Sequence, residues 1–336
     1  MTKDQVYNIA LTDESVLDVI ETHISWVIIG SNYVYKIKKP VNFGFVDFTT
    51  LDKRKYYCEQ ELTLNNRLTD NMYLSVECIN KDNEDYFIGK NEGEVIDYAV
   101  KMTRKDTSRQ MHLLLEENRV KGDDVIKIAT KIASFHKSAD VIKTAFNTEE
   151  QISTFNDIET VKDFVENTIG IRYVNIINKS IRYSNEFIEQ HATEFKQRVQ
   201  SNMIRDCHGD LHSGNIFLEE EPVIFDCIEF NPAFRQIDLL YEVAFFCMDL
   251  DSFGRRDLAK LFMEEYSRQF PDVMKSNFDD KLFVYYKLCR ANIKAKVIAL
   301  KQMQLSTAEQ ASNELDELKR NLRLMLWYHH ELLNLK

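Results

Sequence analysis

The stretch His208-Gly209-Asp210-Leu211-His212-Ser213-Gly214-Asn215, with Asp226 eleven residues further on at the end of an apolar run, constrains the fold of this chain more than any other feature. Asn215-Ile216-Phe217-Leu218 reads as a short strand, Glu219-Glu220-Glu221-Pro222 as an acidic turn, and Val223-Ile224-Phe225 as a buried returning strand. A hairpin of that kind carries Asp226 back beside Asn215. A carboxylate at Asp210 can accept a proton from an attacking hydroxyl. The amide oxygen of Asn215 and the carboxylate of Asp226 can hold Mg²⁺ on nucleotide phosphates. The pattern therefore points to phosphoryl transfer. His208 and His212 read as braces of the loop through hydrogen bonds.

The rest of the chain suits a large scaffold for that loop. Its 336 residues, 44% hydrophobic and 29% charged, have ample core for one two-lobed unit or two domains. Nine glycines and four prolines predict a helix-rich body with few long loops. A net charge of −11 argues against a nucleic-acid partner. The six cysteines show no CxxC and no zinc spacing, which predicts reduced packing thiols. Met1 to Ala10 is polar and lacks the apolar segment of a signal peptide, and no run approaches roughly eighteen apolar residues. The expectation is a cytoplasmic protein without a membrane partner.

The block at 208–226 resembles the motif of aminoglycoside phosphotransferases and choline kinases, small-molecule kinases with a protein-kinase-like fold. His208-Gly209-Asp210 stands where protein kinases carry HRD, and Phe225-Asp226-Cys227 where they carry DFG. Ile237-Asp238-Leu239 resembles the family's second aspartate. The resemblance implies an α+β, two-lobed fold, with a small β-rich nucleotide-binding lobe over 1–103 and a larger helical lobe over 104–336. It implies Asp210 as the base, Asn215 and Asp226 as metal ligands, and Asp238 as a brace of the catalytic loop, with ATP and Mg²⁺ as cofactors. The implied reaction moves the γ-phosphoryl group to a hydroxyl of a small molecule. An atypical Ser/Thr protein kinase and a nucleotide-binding regulator are the alternatives. The segments THISWV and YKIKKPVNFGF are also similar to uncharacterised bacterial members, some of which carry an additional P-loop ATPase domain. No GxxxxGK[ST] occurs here, so the chain would be the kinase-like half, with a separate ATPase as its expected partner.

A kinase fold also needs a strand lysine that reaches the phosphates and a glutamate on the next helix to hold it. Ile24–Ile29, the turn Gly30-Ser31-Asn32 and Tyr33–Lys38 read as two strands of a hairpin. Lys36 is the choice, with Lys38 on the same strand face as the alternative. The following helix spans about Leu51 to Leu68. It offers Glu61, with Glu59 as the alternative, because two residues turn a helix through roughly 200°. No GxGxxG is present, so Thr22 and Ser25 are the candidates for phosphate contact. Val95–Met102 reads as a buried strand. Met102, Thr103 and Arg104 are then the hinge whose backbone would face adenine.

Helical periodicity predicts further helices over 123–137, 239–250, 255–270, 279–304 and 306–333. Lys287, Arg290 and Lys294 share one helix face and would suit an anionic substrate. Glu229, Glu242, Asp249 and Asp251 would suit an amine. The sequence leaves both open, and an amine-bearing hydroxyl compound is the expectation.

Overall fold

The computed structural model describes residues 1–11, 14–89, 92–305 and 312–335. The fold is α+β, and the chain divides into two units. The first is Met1–Arg119 with His208–Asp210 and Gly214–Arg235. The second is Val120–Cys207 with Leu211–Ser213 and Gln236–Lys336.

The first unit is built on a seven-stranded sheet. Its elements run α1 (Lys3–Tyr7), β1 (Ile9–Leu11), β2 (Val16–Glu21), β3 (Ser25–Gly30), β4 (Tyr33–Lys38), α2 (Leu51–Asn65), β5 (Tyr73–Asp82), β6 (Asp85–Ile88), β7 (Glu94–Thr103) and α3 (Met111–Glu116). The strand order is β1-β6-β5-β7-β4-β3-β2, antiparallel throughout except for β1 beside β6. Alternation along β4 decides what each face carries. Tyr35 and Ile37 join Trp26, Ile28, Ile79 and Ala99 in one apolar cluster. Lys36 and Lys38 therefore point to the other face. There Val100, Met102, Tyr73 and Cys58 pack with Phe217 and Val223 of the hairpin that Ile216–Phe217 and Val223–Ile224 form. This is the hairpin expected from the acidic turn.

Thr50 starts α2 by accepting a hydrogen bond from the Lys53 N–H. The buried face of α2 is Arg54, Cys58, Glu61, Leu64 and Asn65. That spacing is helical but the residues are mostly polar, so each needs a partner inside the unit. Arg54 finds Asp97 of β7, Nε to Oδ1 2.8 Å, and Glu61 finds the β4 lysines.

The second unit is helical: α4 (Gly122–Ser138), α5 (Thr148–Asn156), α6 (Lys162–Ile169), α7 (Ile171–Gln190), α8 (Ala192–Gln200), α9 (Leu239–Ser252), α10 (Arg256–Gln269), α11 (Asn277–Met303) and α12 (Ser312–Asn334). Strands Ile204–Asp206 and Gln236–Asp238 pair antiparallel within it. Buried almost from end to end, α9 contacts α10 and α11, and α12 lies along α11 and α7. The helices expected from periodicity at α4, α9, α10 and α11 lie within two residues of the observed ones. The expected start of the last helix at 306 lies outside the described residues. Among the described residues, no helix is long and apolar enough to cross a membrane.

Candidate active site

Five charged side chains of the first unit form a continuous chain on the inner face of its sheet. Lys36 Nζ lies 2.7 Å from Asp226 Oδ1 and 2.8 Å from Glu61 Oε1. Lys38 Nζ lies 2.8 Å from Glu61 Oε2 and also bonds Glu229. The two candidate lysines are thus not alternatives for Glu61. One carboxylate serves both, one oxygen each. What separates them is the far partner and exposure: Lys36 touches Asp226 and its side chain is 17% exposed, whereas the Lys38 side chain is 1% exposed. Glu59 lies on the solvent face of α2 beside Lys55.

Burial works against the charge on Lys36, but the Asp226, Glu61 and Glu229 carboxylates outweigh it and hold the ammonium well above the usual lysine value. The same balance raises Lys38, with Glu229 and Glu61 opposing its burial. Burial alone would raise Glu61, yet Lys36 and Lys38 bring it down to about 2. Glu229 moves the other way: burial pushes it up, and the pull of Lys38 is opposed by neighbouring Glu61.

Asp226 sits in the left-handed region at φ 64°, unusual for a residue with a side chain. Its N–H donates to Tyr73 Oη at 3.2 Å, and the Cys227 N–H donates to Asn65 Oδ1 at 2.9 Å. Asn65 is itself fixed through Nδ2 to the Glu61 carbonyl at 2.8 Å. One helix thus holds the β4 lysines through Glu61 and the backbone just after Asp226 through the bond of Asn65 to the Cys227 N–H. Neither Tyr73 nor Asn65 stands out in the sequence. The available signal for Asn65 is its position four residues after Glu61 on one helix face.

The loop ahead of the hairpin is internally braced. The Asp210 N–H donates to His208 Nδ1 at 3.2 Å, so Nε2 carries the ring proton and donates to the Phe225 carbonyl at 2.9 Å. Asn215 Nδ2 donates to both the Asp210 carbonyl and Asp210 Oδ2, at 3.0 Å each. That commits the amide nitrogen and leaves the amide oxygen able to accept a cation. The Asp226 side chain is 43% exposed, with one oxygen on Lys36, so its second oxygen can bind a cation too. The donor set, an amide oxygen and a carboxylate oxygen, fits a hard divalent ion that keeps further oxygen ligands from phosphate and water.

Gly209 allows the loop to pass close to the chain beyond the hairpin. It has φ 90°, and a Cβ there would lie 2.8 Å from the Phe234 carbonyl oxygen. Gly209→Ala is expected to destabilise the protein by about 1–3 kcal/mol through backbone strain, before the clash is counted. Chemical denaturation would measure this, and an unchanged midpoint would refute it.

The phosphate-loop and hinge candidates sit differently from expectation. Thr22 and Ser25 close the β2–β3 turn on each other: Thr22 Oγ1 donates to the Ser25 carbonyl at 3.0 Å and accepts the Ser25 N–H at 2.9 Å. The Ser25 side chain is buried, so neither hydroxyl is presented as a ready phosphate donor. Met102 is a core residue. The Thr103 N–H donates to the Met72 carbonyl and the Arg104 N–H to the Asn32 carbonyl, both at 2.8 Å. Those two amides are spent within the unit. Thr103 and Arg104 line a cavity of about 710 Å³ together with Asn32, Tyr33, Asn71 and Asp106.

In the second unit Asp238 is engaged with Arg198 in a two-point ion pair, Oδ2 to Nε 2.6 Å and Oδ1 to Nη2 2.8 Å, and it accepts the Leu240 N–H at the start of α9. Arg198 also reaches Asp279 Oδ1 at 2.7 Å. Asp238 therefore ties three elements together. In the 208–215 loop, the Ser213 N–H donates to Oδ2 of buried Asp249 at 2.8 Å.

The basic and acidic sets weighed as substrate walls are largely each other's partners. Lys294 binds Asp249 and Glu317, both at 3.2 Å, and Lys287 binds Asp251 at 3.2 Å. Arg290 is buried against Tyr241 and Phe245. Glu229 belongs to Lys38, and Glu242 is wholly buried. Nothing in the sequence marks charges of opposite sign on different helices as a pair.

Comparison with known proteins places this geometry in a fold. No family model matches the chain. Uncharacterized proteins of Mycobacterium tuberculosis and Mycobacterium bovis are 29% identical to it over 296 residues, 85% of this chain and 55% of theirs. The chain thus spans about half the length of these curated relatives. Among solved structures, a choline kinase from Cryptosporidium parvum matches with a TM-score of 0.59 at 12% identity, covering 95% of this chain and 90% of that one. A choline/ethanolamine kinase family protein from Mesorhizobium loti matches at 0.52 and 13%, covering 95% and 91%. The amicoumacin kinase hAmiN, in complex with AMP-PNP, Ca²⁺ and Ami, matches at 0.53 and 12%, covering 98% and 95%. The chain has the protein-kinase-like fold of these small-molecule kinases. At such identities the likeness is one of fold.

Proposed function

We propose that the protein is a phosphotransferase that moves the γ-phosphoryl group of ATP, with Mg²⁺, to a hydroxyl of a small molecule. The observation that carries this is the chain Asp226–Lys36–Glu61, with Asn215 and Asp210 joined on the adjoining loop. Lys36 supplies a fixed positive charge for nucleotide phosphates. Asn215 and Asp226 would hold Mg²⁺, which when bound neutralises charge on the phosphates. The acceptor oxygen attacks the γ-phosphorus, the bond to the β–γ bridging oxygen breaks, the hydroxyl proton passes to Asp210, and ADP leaves. Asn215 orients the Asp210 carboxylate by bonding one of its oxygens.

The small-molecule acceptor rests on the His208–Asn215 loop and on the company the fold keeps: solved kinases of choline, ethanolamine and amicoumacin share it. An amine-bearing acceptor remains our reading by chemical analogy with the first two. Its cation seat must come from groups other than Glu229, Asp249 and Asp251, which have internal cations. The test is ATP turnover against a panel of small hydroxyl compounds and a protein acceptor, with and without Mg²⁺. Turnover confined to the protein would overturn the acceptor, and preference for phosphate- or carboxylate-bearing compounds over amines would overturn the amine.

Asp226→Ala should weaken Mg²⁺-nucleotide binding by about 10–100-fold, the equivalent of one charge-assisted contact, and affect metal-free nucleotide less. Titration calorimetry in Mg²⁺ and in chelator measures the difference. Equal losses in the two would remove Asp226 as a metal ligand.

A further inference from the structure

Lys38, with its partner Glu229, is the part of the charged row that the proposed reaction leaves unused. Its surroundings are built with as much care as those of Lys36. It is 1% exposed, bonds one oxygen of Glu61 and one of Glu229, and lies 4.9 Å from the Phe48 ring centroid. A buried ammonium with only Glu61, already shared with Lys36, would be half-compensated. Glu229, with a side chain 4% exposed, supplies the second carboxylate. Glu229 lies three residues beyond Asp226, on the same segment. That segment is pinned at its start by the Tyr73 and Asn65 bonds to the backbone of Asp226 and Cys227, and at its end by Lys38 on Glu229.

We propose that Lys38 is a positioning residue for the metal-binding segment: by holding Glu229, it keeps that carboxylate off Lys36 and fixes Asp226 in its strained backbone conformation. This rests on the reading of Asp226 as a metal ligand. The reasoning is one of competition. Glu61 can hold Lys36 in place only if Lys36 is not drawn elsewhere. A buried, uncompensated Glu229 would be a strong rival to Asp226 for the Lys36 ammonium, since like and unlike charges interact strongly away from water. Lys38 satisfies the rival. Glu61 then acts as a spacer that sets the two lysines side by side, and each lysine has one carboxylate from the 226–229 segment. Lys36 and Lys38 are two residues apart along β4, and each meets one carboxylate of the segment that carries Asp226 and Glu229 three residues apart.

The experiment is nucleotide binding by calorimetry as a function of Mg²⁺ concentration, on wild type, Lys38→Met and Glu229→Asp. Lys38→Met keeps an unbranched chain in the same slot. Glu229→Asp keeps the carboxylate but shortens its reach to Lys38, and reads the same link from the other side should Lys38→Met fail to fold. Both variants are expected to raise the Mg²⁺ concentration for half-maximal nucleotide binding by about 10–100-fold, the usual range for outer partners of metal ligands. Metal-free nucleotide affinity should fall by less than this. A merely structural role would lower the denaturation midpoint without moving the Mg²⁺ midpoint. A folded variant with the wild-type Mg²⁺ midpoint overturns this inference alone. Wild-type protein that binds no nucleotide with Mg²⁺ overturns the proposed function as well.

Discussion

Asp210→Asn is expected to lower turnover by about 10²–10⁴ with the fold intact. The substitution keeps the size of the side chain and one carbonyl oxygen. That oxygen can still accept from Asn215 Nδ2, which lies 3.0 Å from Asp210 Oδ2 in the native protein. What goes is the charge that takes the hydroxyl proton in the proposed reaction. Single-turnover kinetics beside a denaturation curve separates the two properties. Wild-type turnover in a folded Asp210→Asn protein would remove Asp210 from the mechanism. A lost fold would instead mean that the contact with Asn215 holds the loop.

Asp238→Ala should cost about 3–5 kcal/mol of stability, the range for breaking a buried ion pair from one side. Arg198 is 6% exposed and bonds Asp238 at two points, and Asp279 and the Val273 carbonyl would remain to face its guanidinium, with one carboxylate in place of two. The start of α9 loses its cap at the same time. The readout is the denaturant midpoint and slope. A loss under about 1 kcal/mol would show that Asp279 and the Val273 carbonyl satisfy Arg198 without Asp238, since that is the scale of a single cap.

Local signals are legible in the sequence, and distant partnerships are not. Tyr33–Lys38 announces itself because turn residues precede it and its side chains alternate, and the observed strand has the same ends. The hairpin returning Asp226 to Asn215 is legible for the same reason. The amphipathic pattern gives α4, and the run of apolar residues gives α9, almost to their ends. Strand β2 escapes the sequence reading because it is exposed on nearly its whole length at the sheet edge, so no apolar alternation marks it. The partners that shape the site escape it for a different reason. Lys38 and Glu229 are 191 positions apart, and Asp226 and Tyr73 are 153 apart. No spacing rule reaches that far. The buried face of α2 is hard to read because its defining residues, Arg54, Glu61 and Asn65, are polar and gain their meaning only from groups elsewhere in the unit.

The row Asp226, Lys36, Glu61, Lys38, Glu229 alternates in sign and ends in a carboxylate at both ends. Three anions to two cations leave it one negative charge in surplus. Such a row behaves as a small cation exchanger. A polyphosphate arriving bare meets net repulsion there, whereas one that brings its own divalent counter-ion meets attraction. Much of the row is removed from water, so dissolved salt can screen it only weakly. Discrimination between the bare and the accompanied anion would then persist at ionic strengths that erase surface electrostatics.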